Sequence, residues 1–224
     1  MPTNGRPEFV RHALASIGRQ DYPAELVEVV IVDDSPAALR VDGLAAGAQR
    51  VGNVSVVYVV LSEQRSIGAK RNEAVRRATG EVAVHWDDDD IFAEGRLRAQ
   101  VAPIVRGEAD VTLLEHQLTY FMDRDELYAA AMPWKEDVST WGPHFGTLSY
   151  RRSLVVGGVE FPDASEAEDY GFAQRVVEAG ARLLVLAPPR GGPLQTGAAG
   201  AAARLFVCVR HGSNTWAWGA GSAA

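Results

Sequence analysis

Four near-continuous runs of apolar, largely β-branched residues constrain this chain most: Val27–Val32, Val54–Leu61, Val82–Trp86 and Val111–Leu114. A strand with one wet face alternates polar and apolar residues. These runs barely alternate, so both of their faces must be covered. Helical patterns lie between them. Phe9, Ala13, Leu14 and Ile17 share one face of an early helix that ends before Tyr22-Pro23. Ala69, Ala74, Val75 and Ala78 mark a second, closing at Gly80. Leu97, Val101 and Ile104-Val105 mark a third, with Pro103 placed to kink or end it. Alternating strands and helices predict an α/β fold on a doubly wound, mostly parallel sheet with right-handed crossovers. The opening strand of such a sheet is missing or a stub, because Met1-Pro2-Thr3 leads almost directly into helix.

The second half is less regular. Leu118–Met122 and Leu127–Met132 flank Asp123-Arg124-Asp125 and predict a hairpin or a small secondary sheet. Gly146–Arg151 reads as a strand and Leu183–Leu186 as another. Ala167–Ala179 reads as a helix, with Glu166, Glu168 and Asp169 at its start, where the dipole favours acids. Gly191–Ala203 is low in complexity and reads as a flexible insert; Gly219–Ala224 reads as a disordered tail. At 224 residues one domain is expected, over 1–218.

A net charge of −7 argues against nucleic-acid partners. The longest aliphatic run is too short for a transmembrane segment. Cys208 is the sole cysteine, so no intrachain disulfide forms and a reducing, cytoplasmic location is expected. Its apolar neighbours mark a buried thiol rather than a nucleophile.

Chemistry-bearing residues gather where strands end. Asp33-Asp34 follow the first run and Asp87-Asp88-Asp89-Asp90 the third. Open α/β sheets bind ligands beyond the carboxyl ends of their strands. Four adjacent carboxylates repel one another, and a divalent cation carrying phosphate oxygens would neutralise them. A solvated loop that also caps the next helix is the alternative. Two acidic strand ends at one crevice fit a metal and nucleotide site better than two independent loops.

The segments MPTNGRPEF, VVIVDDS, SIGAKRNEAVRRATGE, HWDDDD, GTLSYRR, EFPD, AEDYGF and VRHGSNT occur in that order. Together they resemble the successive motifs of family-2 glycosyltransferases, which have the GT-A nucleotide-sugar fold. The resemblance implies a nucleotide-binding half over 1–115 and an acceptor-binding half over 116–218. It places the nucleoside diphosphate among Thr3, Arg6, Asp33, Asp34, Gly68, Lys70, Arg71, Asn72, Asp87 and Asp88. In that reading carboxylates accept from base or ribose, and basic side chains and free amides at a helix start face phosphate.

The acid run matches the DxD motif of that fold. Asp87 and Asp89 are expected on one side of an extended segment, since side chains alternate there. Asp89 is the first choice as a direct ligand of Mn2+ or Mg2+; Asp87 is placed on the ribose or the metal's water shell. Of Asp88 and Asp90, one is expected to cap the next helix. His211 matches a histidine that completes the metal shell in related enzymes. Asp169 matches the general base of inverting members, with Glu168 second. His85 and Trp86 are expected to pack beneath the acid run. Trp134, Trp141 and Trp216 are candidates for stacking on an acceptor sugar.

The implied reaction moves a sugar from a UDP- or GDP-linked donor to an acceptor saccharide or other hydroxyl compound, with inversion. The tyrosine and the glycine usual in the first two motifs are replaced here by Asn4 and Ser35. No Gln-x-x-Arg-Trp segment occurs, which argues against a processive polysaccharide synthase. Two other readings stay open: a sugar-nucleotidyltransferase, and a GT-A-like domain that binds without catalysis.

Overall fold

The computed structural model describes residues 1–37, 41, 44–115, 118–129, 143–186, 205–212 and 214. The insert 191–203, the tail 219–224 and the three tryptophans proposed for stacking lie outside them.

The first element is a two-residue strand, β1 (Pro2–Thr3). Helix α1 (Pro7–Gly18) follows, with proline in its first turn where a missing N–H costs nothing. Its buried face is Val10, Ala13, Leu14 and Ile17. Val10 therefore takes the place expected for Phe9, one residue on. Strands β2 (Glu28–Asp33), β3 (Gly47–Val51) and β4 (Val54–Val60) complete a sheet of order β1-β2-β4-β3. β1, β2 and β4 run parallel; β3 is antiparallel to β4 across the turn at Gly52, whose φ is +62°. β2 shows why its sequence does not alternate. Val29 and Ile31 pack with Leu14, Ile17 and Tyr58 on one face, and Val30 and Val32 meet Ala74 on the other.

That second face is covered by α2 (Ile67–Arg77). β5 (Val82–Val84) runs into the acid run and out through β6 (Ile91–Phe92) to α3 (Arg96–Val105), with Pro103 in its last turn. β7 (Val111–Glu115) is followed by the hairpin β8 (Leu118–Phe121) and β9 (Glu126–Ala129). β10 (Pro143–Arg151), α4 (Arg152–Val156), α5 (Glu168–Glu178), β11 (Leu183–Leu186) and β12 (Phe206–Arg210) complete the described elements.

The second sheet has the order β11-β7-β10-β5. β11 and β7 are parallel, and β10 is antiparallel to both of its neighbours, so this sheet is mixed within the mostly parallel α/β plan. Its core is aromatic: Tyr150, Phe161 and Phe172 pack with Val111, Leu113 and Val176, and the Phe161 and Phe172 rings stack at 3.9 Å. The third sheet, β6-β12-β8-β9, is the small secondary sheet. It brings β12 back onto the acid run, 119 positions along the chain, where Asp90 accepts from the Val209 amide at 2.9 Å. Among the described residues no helix is long and apolar enough to cross a membrane.

Candidate active site at the acid run

Helix α2 organises the site. The Ser66 hydroxyl caps it by accepting from the Ala69 amide at 3.0 Å. The Gly68 amide donates to Ala164 O at 2.9 Å and the Ile67 amide to Ser165 Oγ at 3.3 Å. The first-turn amides are thus occupied by the protein, and the expectation that they face phosphate does not hold. Gly68 is a packing residue here. A Cβ on it would lie 1.9 Å from the Pro162 carbonyl oxygen. Asn72 is likewise a clamp: its amide brackets the Phe161 backbone, accepting at 2.8 Å and donating at 3.0 Å. Together they fasten segment 161–165, which leads into α5, onto α2.

Arg71 completes the join. Its Nη2 donates to Asp87 Oδ1 at 3.0 Å and its Nε to Glu168 Oε1 at 3.1 Å. Burial disfavours the cation, but Asp87 and Glu168 outweigh that and raise its pKa. Burial raises both Glu168 and Asp169 above the usual carboxylate range, against the pull of Arg71. Asp169 Oδ1 accepts from the Tyr170 amide at 2.7 Å. The residue before this pair, Ala167, sits at φ 55° and ψ 21°, a left-handed conformation that costs a residue with a Cβ about 1–2 kcal/mol. Acid pair and strained junction coincide, as at many functional sites. Glu166 lies exposed outside the cluster.

The acid run is a turn rather than an extended segment, so alternation does not put Asp87 and Asp89 on common partners. Asp87 meets Arg71. Asp89 Oδ2 lies 3.1 Å from His211 Nε2, 3.0 Å from Arg6 Nη1 and 3.3 Å from Asn214 Nδ2. Asp88 accepts from Thr3 Oγ1 at 2.7 Å and from Arg6, and burial pushes its carboxyl up to about 6. Thr3 and Arg6 therefore brace the acid run directly. Asp90 bonds the Val209 amide, and burial holds its pKa well above 3.8. The α3 N-cap is Gly95, with no side-chain cap, so neither Asp88 nor Asp90 caps that helix.

The first acidic pair divides. Asp33 is fully buried and its oxygens are taken by Tyr58 Oη at 2.7 Å, Ser35 Oγ at 2.9 Å, the Ser35 amide and the Gly5 amide. It braces the loops that follow β1 and β2. Asp34 takes Lys70 Nζ at 2.8 Å, Asn4 Nδ2 and the Arg65 amide, both at 2.9 Å. Burial alone would raise it, but these donors hold it below the usual carboxylate range. Lys70 also reaches Thr3 O at 3.1 Å, so strand ends β1 and β2 and helix α2 meet at one ammonium.

His85 and Trp86 are buried beneath the acid run as expected. Burial, then Arg71, drives His85 well below 6.5, so it is neutral. Cys208 is also buried, and burial raises its thiol pKa. Sequence reasoning missed four participants. Phe9 stacks on His211 at 4.9 Å, Tyr58 serves Asp33, Gly146 leaves room beside Asp87 Oδ2, and Asn214 braces Asp89. Phe9, Gly146 and Asn214 each lie in a quoted motif segment, MPTNGRPEF, GTLSYRR and VRHGSNT, but only their partners in the fold show what they do; Tyr58 carried no signal.

Among the described residues no three His, Cys, Asp or Glu side chains form a metal cage. Asp89 and His211 still offer a hard carboxylate and an imidazole at one point. Ions such as Mg2+ commonly use one or two protein ligands and complete their shell on substrate phosphates. The pair fits such an ion.

Comparison with known proteins supplies the family and the fold. The sequence profile of Glycosyl transferase family 2 matches residues 1–153. Poly(ribitol-phosphate) beta-N-acetylglucosaminyltransferase TarS of Staphylococcus aureus is 29% identical over 117 residues, 51% of this chain and 20% of TarS. WcaA of Escherichia coli K12, assigned to colanic acid biosynthesis as a glycosyl transferase, is 27% identical over 158 residues, 69% of this chain and 52% of WcaA. The chain thus spans about half or less of the curated relatives it matches. Among solved structures, S. aureus TarS 1-349 in complex with UDP-GlcNAc superposes with a TM-score of 0.66 at 20% identity, over 95% of this chain and 58% of that one. The mannosyltransferase PcManGT of Pyrobaculum calidifontis, in complex with GDP-Man and Mn2+, gives 0.58 at 20% identity, over 93% and 55%. The fold is that of GT-A glycosyltransferases, and the chain belongs to Glycosyl transferase family 2.

Proposed function

We propose that this chain catalyses transfer of a sugar from a nucleoside-diphosphate sugar to an acceptor hydroxyl, by metal-dependent single displacement with inversion. The observation that carries the reading is the reach of Arg71. One guanidinium joins Asp87, in the donor motif, to Glu168, beside the proposed base Asp169. Donor and acceptor chemistry therefore share one buried ion network.

Asp169 takes the proton from the attacking hydroxyl. Burial raises its pKa towards the working range, which suits a base that must also release that proton. Glu168 holds Arg71 and so fixes the start of α5. Asp89 and His211 would hold Mn2+ or Mg2+, with Asp87 on the ribose or the metal's water shell. A bound divalent ion supplies Lewis-acid stabilisation of the departing diphosphate. Arg6 and Lys70 add positive charge at the strand ends, and Asp34 is the carboxylate nearest to a base-binding role. The acceptor is a saccharide or another hydroxyl compound. Tyr170, next to Asp169 in the chain, and Phe145 are half-buried rings 5.4 Å apart that offer it a surface. UDP- and GDP-linked donors are the first to test, since structural neighbours carry UDP-GlcNAc and GDP-Man. The lone, buried Cys208 suits the reducing cytoplasm.

The test is thermal shift followed by product analysis. Mn2+ with a UDP- or GDP-sugar is expected to raise Tm, and a suitable acceptor to release the nucleoside diphosphate. No shift with any nucleotide sugar at millimolar metal would sink the reading. Binding without transfer across an acceptor panel would leave a binding domain instead.

A further inference from the structure

We propose that Arg96 is a positioning residue for the acid run, holding Asp87–Asp90 from beneath in the shape that lets Asp89 meet His211. The inference rests on the functional reading above. Arg96 is fully buried, and its side chain touches residues that flank the run on both sides. On the entering side its Nη2 donates to His85 O at 2.7 Å, and the guanidinium lies 4.8 Å from the Trp86 ring. On the leaving side it lies 3.9 Å from the Phe92 ring. Two further bonds tie it to the scaffold: Nε to Gln100 Oε1 at 2.8 Å and Nη2 to Thr147 O at 3.4 Å. Gln100 in turn donates to Thr147 O at 2.8 Å and its backbone oxygen accepts from Thr112 Oγ1 at 3.0 Å.

Core filling alone does not account for this choice. Burying a guanidinium is costly, and Nη1 has no partner among the described residues. An apolar side chain would fill the space without that cost. What arginine adds is a flat cation that packs against aromatic rings and carries a fork of donors. It can stack on rings that flank the turn, bond the carbonyl that enters it, and set a positive charge near Asp87 and Asp90. Groups that orient a metal ligand from behind are worth about 10- to 100-fold in metal affinity.

Arg96→Met, Arg96→Lys and Thr112→Val separate this role from general stability. Mn2+ is titrated by calorimetry in the presence of UDP or GDP, and Tm is recorded alongside. R96M is expected to weaken Mn2+ binding at least about 10-fold. R96K, which keeps the charge but not the fork, should fall between R96M and wild type, and it carries the test alone if R96M does not fold. T112V breaks the scaffold behind Arg96 without touching the turn, so it should lower Tm and leave affinity within about twofold. Wild-type affinity in R96K or R96M overturns the inference, as does a loss in T112V equal to that in the arginine variants. A wild-type protein that binds neither metal nucleotide overturns the functional reading and this inference with it.

Discussion

His211 Nε2 lies 3.1 Å from Asp89 Oδ2, although 122 positions separate the two residues. β12 makes the meeting possible by returning to β6, and Phe9 fixes the imidazole by stacking on it. If this pair holds the metal, Asp89→Asn should lower kcat/KM at least about 100-fold, a loss of about 2.7 kcal/mol of transition-state stabilisation. His211→Ala should instead raise the Mn2+ concentration for half-maximal rate, by about 10-fold. Steady-state rates across a Mn2+ series check both. Equal Mn2+ dependence in H211A and wild type would remove the histidine from the metal shell.

Glu168 and Asp169 are adjacent acids with different surroundings, and their variants should differ in kind. Asp169→Asn removes the base, which is worth about 100- to 10,000-fold in rate, and should leave donor binding intact. Glu168→Gln keeps an acceptor for Arg71 but removes its charge from a buried pair. It should lower Tm, by up to about 3 kcal/mol of stability, with a smaller effect on rate. The rate of wild type should fall as pH drops through the raised pKa of Asp169, so the acid limb lies above the ordinary carboxylate range. A D169N enzyme with unchanged turnover would end the assignment.

Gly68→Ala tests the join between α2 and segment 161–165. In an open helix the change should stabilise by up to about 1 kcal/mol. Here the added Cβ would meet the Pro162 carbonyl oxygen at 1.9 Å, so a net loss of about 1–3 kcal/mol is expected, with loss of activity as α5 shifts. Gly80→Ala is the control: its nearest neighbour is Val82 O at 3.7 Å, and it should stay within about 0.5 kcal/mol. Chemical denaturation of both variants decides the matter, and a neutral G68A would contradict the close packing.

Much of the fold was legible because burial on both faces leaves a local mark. β2, β4 and β7 are mostly apolar with little alternation and were readable from composition along the run. β3 was not, because an edge strand such as GAQRV carries no such mark. The orientation of β10 was hidden for a different reason: direction in a sheet depends on the path of the connecting chain, not on the strand's own residues. In the site, residue types were readable and their partners were not. Gly68 and Asn72 sit in a motif that suggests phosphate, yet both bind the backbone of 161–164. Arg96 gave no signal, since a buried arginine and an exposed one look alike in a helix pattern.

Asp88 gives the site a pH signature of its own. Its carboxyl is raised from 3.8 to about 6 by burial, against the pull of Arg6. The folded state therefore holds this proton more tightly than the unfolded chain. The stability it contributes is complete below about 3.8 and is lost as pH rises through 6. A gap of about two pKa units corresponds to something on the order of 2–3 kcal/mol. Neutral His85 acts oppositely, losing stability as pH falls below 6.5, but it is present in wild type and variant alike. The difference between Asp88→Asn and wild type isolates the carboxyl, because asparagine keeps the shape and can still accept from Thr3. In metal-free buffer, the Tm of D88N relative to wild type should climb between pH 4 and pH 7 and level off beyond. A difference that stays flat over that range would show that Asp88 ionises normally in the folded protein.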